Sequence, residues 1–309
     1  MEQAYFGIEI GGTKLQIVAG VGAGVIRKRE RLNVDQQKGA AGIRQQIEST
    51  LSSFLNAFEP QAVGVGFGGP VDWQTGRIAR SHQIEGWADF ELAPWLRSIV
   101  NKPTFVDNDA NVAALGEAFR GAGVHSNPVF YITLGSGVGG GLVLNGEIYH
   151  GAKPGESEIG HLRLDRQGTT LESRCSGWAV DAKIRQLISK EPASILSRQI
   201  SRSVGGESKH LVQGLYGGDQ GASKILEELA DDLSFGLSHV VHLFHPETII
   251  LGGGLSLIGE PLRVAVEAAL KRSVMEVFST GVKLRIAALG EDSVLVGSLL
   301  LAERGSKCR

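Results

Sequence analysis

Glycine is concentrated at the ends of apolar, β-branched stretches of this sequence. Glycines follow four such stretches, within residues 11–12, 64–69, 135–141 and 252–254. In total 43 of the 309 residues are glycine, about twice the usual share. Glycine at a strand end lets the chain turn tightly or lets a ligand approach the backbone. Several such loops together predict a nucleotide or phosphate site on an α/β scaffold.

The charge balance argues against two classes of partner. The net charge of −2 comes from 31 basic and 33 acidic residues, so the chain has no positive field that would attract nucleic acid or an anionic membrane.

Other sequence features bear on the cellular compartment. No apolar run is long enough to span a bilayer, and Glu2 and Glu9 make the start of the chain unlike a signal peptide. Two cysteines, Cys175 and Cys308, are too few for a disulfide framework. We therefore expect a cytoplasmic protein.

Apolar spacing predicts alternating strands and helices along the chain. Helices are expected at residues 43–58, 92–100, 109–119, 178–189, 195–203, 222–244, 261–274 and 294–302. Strands are expected at residues 5–10, 15–19, 62–67, 104–106, 129–134, 141–144, 248–251 and 282–287. A strand pair with a glycine loop opens each half, so we expect two similar halves joined near residues 121–126.

The first strand pair has the composition of a phosphate-binding loop. Backbone N–H groups of Gly11 and Gly12 and the Thr13 hydroxyl could hold phosphate oxygens. Lys14 would add charge, and Glu9 could hold magnesium through water. A glycine hairpin with a solvated lysine is the alternative. Residues 131–141 repeat the design of strand, hydroxyl and glycines, so two such loops could grip a polyphosphate.

Two better-known glycine motifs fit less well. The dinucleotide pattern occurs at residues 64–69 and 135–140, but neither copy leads into a helix, and one match is expected by chance at this glycine content. A Walker A loop requires lysine before the hydroxyl residue. Here Thr13 precedes Lys14.

Five motifs occur in the order found in ROK-family sugar kinases, which share a superfamily with hexokinase and actin. They lie at residues 7–14, 108–109, 133–141, 158–161 and 246–254. The resemblance extends over nearly the whole chain. It implies an α/β fold with two ribonuclease-H-like (actin-like ATPase) domains around a central cleft. The domains would be residues 1–121, with the final helix 293–309 returning to them, and residues 122–292.

The resemblance also implies the ligands and the residues that bind them. The two loops would bind the ATP phosphates, and the late glycines would bind adenosine. The residues are Gly11, Gly12, Thr13 and Lys14 in the first loop; Thr133, Gly135, Ser136 and Gly137 in the second; and Gly253 and Gly254 for adenosine. Glu9 stands where relatives usually have aspartate, in a position associated with Mg²⁺.

Asp109 would be the general base, and a carboxylate at a helix start suits that role. The alternative is a simple helix cap, which is the favoured interpretation when the residue is taken alone. The hexose would be held by Asn108, Asp109, Glu158, His161, Glu172 and the turn at Gly69. Carboxylates accept hydrogen bonds from vicinal hydroxyls, although His161 by itself reads as an ordinary loop or core histidine. Trp87 is a weaker candidate for stacking on the sugar.

The chain departs from the family in one segment. Many relatives carry a cysteine-rich zinc loop between the residues matching His161 and Glu172, but residues 162–171 contain no cysteine. We therefore expect no structural zinc. His239, His242 and His245 have spacing that could suggest a metal, but a helix surface or subunit interface is the favoured interpretation.

The resemblance predicts ATP-dependent phosphorylation of a hexose at its 6-hydroxyl, with glucose favoured and a homodimer as the family default. Fructose, mannose, allose and N-acetylhexosamines stay open as substrates, and polyphosphate stays open as a donor. The rival function is a sugar-binding regulator. Family repressors carry a DNA-binding domain before the first loop, for which we expect no room here.

Overall fold

The structure, a computed structural model, describes residues 2–79, 84–153, 157–192, 194–200 and 205–307. Cys308 and the end of the predicted closing helix lie outside these residues, as do residues 201–203 of another predicted helix. The strands are β1 Ala4–Ile10, β2 Lys14–Val21, β3 Val25–Asn33, β4 Pro60–Phe67, β5 Val71–Asp72, β6 Arg77–Ile78, β7 Thr104–Asn108, β8 Val129–Leu134, β9 Val138–Leu144, β10 Glu147–Ile148, β11 Thr248–Gly252 and β12 Lys283–Ile286. The α-helices are α1 Gly39–Leu55, α2 Leu92–Val100, α3 Asp109–Arg120, α4 Leu171–Cys175, α5 Gly177–Lys190, α6 Ile195–Gln199, α7 Leu211–Tyr216, α8 Gln220–Phe244, α9 Glu260–Ser273 and α10 Ser293–Lys307.

The chain divides into two compact units. Unit 1 comprises Met1–His125, Gly141–Ser157 and Ala288–Arg309, and unit 2 comprises Ser126–Gly140 and Glu158–Ala287. This division differs from a single boundary after residue 121, because the segment from Gly141 to Ser157 belongs to unit 1. The physical reason is close packing: a Cβ on Gly141 would lie 2.7 Å from the Ala110 carbonyl oxygen of α3.

The sheet of unit 1 has the order β3-β2-β1-β4-β7. The first three strands are antiparallel, and β4 and β7 run parallel to β1. One buried cluster contains apolar residues of β1 and β2 together with α1 and α2. Another contains Tyr5, Val18 and Ala62 with Leu295 and Leu299 of α10.

Some glycines in unit 1 serve packing rather than ligand approach. A Cβ on Gly64 would overlap the Ser298 carbonyl group, and a Cβ on Gly297 would overlap the Val112 carbonyl group. Gly64 therefore lets α10 approach β4, and Gly297 lets α10 approach α3. Gly64 lies inside β4, within the strand predicted at residues 62–67, and is not part of the turn that follows.

The second sheet has the order β10-β9-β8-β11-β12. In unit 2, β8 and β12 both pair in parallel with β11. The long helix α8 buries Leu229, Leu233 and Leu237. The residues that precede Gly253 in β11 are buried throughout, which fits a central parallel strand. The two five-stranded sheets with their helices confirm the expected α/β class.

Candidate active site

The first glycine loop joins β1 to β2 as a tight hairpin in unit 1. The Gly11 N–H donates to the Lys14 carbonyl at 3.0 Å, and the Val34 N–H donates to the Thr13 carbonyl at 3.3 Å. The loop therefore has a defined backbone, with Gly12 partly exposed and Thr13 exposed. This confirms the predicted hairpin and leaves the Thr13 side chain accessible to a ligand.

Glu9, at the end of β1, is already held by two neighbours. Its Oε1 lies 3.2 Å from the Lys14 ammonium, and its Oε2 accepts a hydrogen bond of 2.8 Å from the fully buried Gln16 amide. Both carboxylate oxygens are thus engaged, and Lys14 is turned toward Glu9. An oxygen ligand suits Mg²⁺, but this arrangement fits contact through water and not a cage built by the protein.

Asn108 and Asp109 lie where β7 passes directly into α3. Asn108 is the N-cap: its Oδ1 accepts from the Ala110 N–H at 2.9 Å, and its Nδ2 donates to the Gly69 carbonyl at 3.2 Å. Asp109 is the first residue of the helix. The alternative that Asp109 is the cap was therefore wrong, because Asn108 already supplies the capping oxygen.

The Asp109 carboxylate lies beside the glycine loops of unit 1. A Cβ on Gly68 would lie 3.4 Å from Asp109 Oδ2 and 3.7 Å from the Gly11 Cα. The Gly68 N–H also donates to the Ile10 carbonyl at 2.9 Å, which fixes this loop against the end of β1. The fold thus brings the predicted base, the predicted sugar turn at Gly69 and the first phosphate loop together. Asp109 is partly exposed and accessible.

A largely buried hydrogen bond between His150 and Asp107 beside this site was not predicted. His150 Nε2 lies 2.6 Å from Asp107 Oδ2, and their side chains are only 14% and 4% exposed. Asp107 comes two residues before Asp109, at the end of the same strand. The local sequence offered no signal for the pair, since its members are 43 positions apart.

In unit 2, the second glycine loop connects β8 and β9. The Gly135 N–H donates to the Gly137 carbonyl at 2.9 Å, and the Gly177 N–H at the start of α5 donates to the Gly135 carbonyl at 2.7 Å. Ser136, at the tip, is exposed, and Thr133 is partly exposed. The loop therefore presents a hydroxyl and glycine backbone at its tip.

Glu172 packs against this loop. Its Oε2 accepts from the Val138 N–H at 2.9 Å, so this predicted sugar ligand contacts the second phosphate loop. The turn carrying Glu158 and His161 packs on the same strand, because a Cβ on Gly160 would overlap the Val138 carbonyl. Both side chains are exposed, so His161 is not a core histidine.

The late glycines also lie against the second loop. Gly253 has φ +77°, and a Cβ on it would lie 2.6 Å from the Leu134 backbone. Only glycine fits there, for both reasons. Gly254 is exposed, and nothing lies within 4 Å of its Cβ position. Unit 2 thus brings together the predicted phosphate and adenosine loops with Glu158, His161 and Glu172.

Trp87, the weaker candidate for stacking on the sugar, lies in the hydrophobic core of unit 1. Trp87 is 1% exposed and packs edge-on against Phe67 and Phe90, each at a centroid distance of 5.4 Å. The hypothesis that Trp87 stacks on sugar was therefore wrong. Within the described ranges no group of three or more His, Cys, Asp or Glu side chains could hold a metal ion, and this includes the set His239, His242 and His245. In the same ranges no helix is long and apolar enough to cross a membrane.

The chain is similar to a known protein family and to several solved structures. The model of the ROK family matches residues 5–305. The chain is 30% identical over 307 residues to a glucokinase of Halalkalibacterium halodurans, covering 95% of this chain and 93% of that one. A ROK family glucokinase from Streptomyces griseus, solved in complex with glucose and AMPPNP, superposes with a TM-score of 0.86 at 30% identity, covering 98% of this chain and 100% of that chain. A ROK hexokinase from Thermus thermophilus gives a TM-score of 0.78 at 25% identity, covering 99% and 100% of the two chains.

Proposed function

This chain belongs to the ROK family, and we propose that it is an ATP-dependent glucokinase that phosphorylates the 6-hydroxyl of glucose. One observation carries the proposal: the partly exposed Asp109 carboxylate lies beside Gly68 and close to the Gly11 loop. This gives unit 1 a proton acceptor next to a backbone loop suited to phosphate. The similarity to glucokinases over nearly the full chain supports glucose and ATP as the substrates.

In the proposed reaction, Asp109 accepts the proton of the sugar hydroxyl as its oxygen attacks the γ-phosphorus of ATP. The bond from phosphorus to the β,γ-bridging oxygen breaks, and ADP leaves with that electron pair. Asn108 and the Gly69 turn of unit 1 would orient the sugar, and Glu158 and His161 are the further hydroxyl ligands that the family resemblance implies. Phosphoryl transfer depends mainly on such positioning and on charge stabilisation.

Each of the two glycine loops offers hydrogen-bond donors for phosphate. Their backbone N–H groups, with the hydroxyls of Thr13, Thr133 and Ser136, are donors for phosphate oxygens. Gly253 packs on the Leu134 backbone, and Gly254, with nothing within 4 Å of its Cβ position, leaves room beside the second loop for the adenosine. Glu172 contacts that loop through Val138, so it supports the loop in addition to its proposed role toward the sugar.

Mg²⁺ enters this proposal as part of the nucleotide substrate. When bound to the phosphates it would neutralise developing charge on their oxygens. Glu9 would hold it through water, because Lys14 and Gln16 already engage both carboxylate oxygens.

We further propose a cytoplasmic homodimer. Apolar side chains on α8 and after α9 are exposed: Phe235 at 43%, Leu243 at 74%, Met275 at 61% and Val277 at 71%. Such a surface suits contact with a second copy. Sedimentation equilibrium of the wild type and of Leu243→Glu tests this, and monomeric wild-type protein at micromolar concentration would contradict it.

A panel of sugars assayed for ADP release tests the substrate. We expect the largest kcat/KM with glucose, lower values with fructose, mannose, allose and N-acetylhexosamines, and a 6-phosphate product by ³¹P NMR. Calorimetry with each sugar in the absence of ATP separates binding from turnover. Sugar binding without ADP release would favour a non-catalytic regulator. Turnover with polyphosphate but not with ATP would show that polyphosphate is the phosphoryl donor.

A further inference from the structure

The His150 side chain is fixed on two sides within unit 1. Its Nε2 lies 2.6 Å from Asp107 Oδ2, and its ring stacks on the Trp73 indole with centroids 4.2 Å apart and planes 11° apart. Trp73 follows Asp72 in the chain, and the Asp72 carboxylate forms a salt bridge of 2.9 Å with the Lys153 ammonium. The imidazole is therefore held in one orientation beside the end of β7.

Asp107 transmits this contact to the start of α3. Its Oδ1 accepts from the Asn108 backbone N–H at 2.8 Å and from the Asn111 Nδ2 at 3.0 Å. One oxygen thus binds His150, and the other binds the first turn of the helix. Asn108 in turn caps the helix and donates to the Gly69 carbonyl. The residue next to this cap is Asp109.

We propose that His150 is a positioning residue for the base Asp109 and that it acts through Asp107; this rests on the proposed function. Without the imidazole, the nearly buried Asp107 Oδ2 loses the donor at 2.6 Å. An unpaired buried carboxylate oxygen is costly, so the carboxylate rotates toward other donors and releases the Asn108 N–H. Asp109 then shifts relative to the Gly68 loop. A displacement of about 1 Å at a reacting group can lower the rate about 100-fold.

His150→Ala and His150→Gln test the contact. We expect His150→Ala to lower kcat about 10- to 100-fold while KM for glucose stays within about threefold. His150→Gln should recover most of the lost kcat, because its terminal amide can donate to Asp107 Oδ2. His210→Ala, at a partly exposed histidine of unit 2, is the matched control and should leave kcat unchanged. If His150→Ala does not fold by its melting curve, His150→Phe keeps an aromatic ring beside Trp73 without the donor and carries the same expectation.

A double-mutant cycle with Asp109→Asn separates positioning from a merely structural role. If His150 acts by placing the base, His150→Ala should lower kcat in the wild-type background but not further in the Asp109→Asn background. An equal loss in both backgrounds would overturn the proposal, and so would a kcat of His150→Ala within twofold of wild type. Asp109→Asn with undiminished kcat would instead refute the proposed function, so the two failures are distinguishable.

Discussion

The Glu172 carboxylate accepts a hydrogen bond of 2.9 Å from the Val138 N–H and lies directly against Gly137. A Cβ on Gly137 would lie 2.6 Å from Glu172 Oε2, which is closer than two such atoms can approach. A side chain at Gly137 would therefore displace the Glu172 carboxylate from its contact with the second glycine loop.

Gly137→Ala should weaken ATP binding. The added methyl group must displace Glu172, which releases Val138 and deforms the loop proposed to hold phosphate. We expect KM for ATP to rise about 10-fold, equivalent to about 1.4 kcal/mol, with a smaller change in KM for glucose. Steady-state kinetics with ATP varied at saturating glucose measures this. Gly281→Ala, at an exposed and roomy position of unit 2, is the control. An ATP KM within twofold of wild type would show that the loop tolerates the methyl group.

Asp109→Asn should abolish most turnover while the fold is retained. The substitution keeps the size of the side chain but removes the oxygen able to accept the hydroxyl proton, and general-base contributions are typically about 10²- to 10⁴-fold. Because Asn108 is the helix cap, the helix start does not depend on Asp109. We expect kcat to fall at least about 100-fold, sugar affinity by calorimetry to change less, and the melting temperature to move by only a few degrees. A kcat within about threefold of wild type would exclude Asp109 as the base.

Removal of zinc should leave both fold and activity intact. Cys175 is fully buried, and this burial raises the pKa of its thiol to about 12. A protonated thiol is a poor zinc ligand, and the stretch at residues 162–171 has no cysteine. After dialysis against a chelator, we expect unchanged melting temperature and, with Mg²⁺ restored, unchanged kcat. Near-stoichiometric zinc whose loss unfolds the protein would contradict this and would indicate ligands of another kind.

Asp219 should make the stability of unit 2 depend on pH. Burial raises the pKa of this carboxyl, but hydrogen bonds from the backbone N–H groups of Leu196 and Ala222 outweigh it, and the net pKa is lowered. A lowered pKa in the folded state stabilises the protein above the ordinary pKa of aspartate, and this contribution is lost as the pH falls through the folded value. Asp219→Asn should therefore be less stable than wild type at pH 7, by about 1 kcal/mol. The difference should shrink below about pH 4. Urea unfolding at both pH values tests this; a difference independent of pH would refute it.

Local apolar pattern predicted the elements that are buried. The helix at Leu92–Val100 and the strand at Val129–Leu134 have the predicted bounds, because their apolar residues face a core. Strand β3 was missed, since Val25–Asn33 is rich in charge and lies at the sheet edge, where pairing with β2 and not burial forms the strand.

The candidate site was predictable to the extent that it lies in contiguous motifs. The glycine loops and the Asn108–Asp109 pair are local, so the sequence displays them. The contact of His150 with Asp107 arises from tertiary packing, and no spacing rule marks it. The same is true of Glu172, whose contact with Val138 depends on how α4 meets β9.

The position of α10 has a consequence for how the protein is made. Leu295 and Leu299 complete the cluster around Tyr5 and Val18, so β1 and β2 are synthesised well before the helix that covers one face of their sheet. All of unit 2 is synthesised before that helix emerges. The nascent segment that contains β1 and β2 therefore carries uncovered apolar surface until α10 is made, and a chaperone could bind it during that interval.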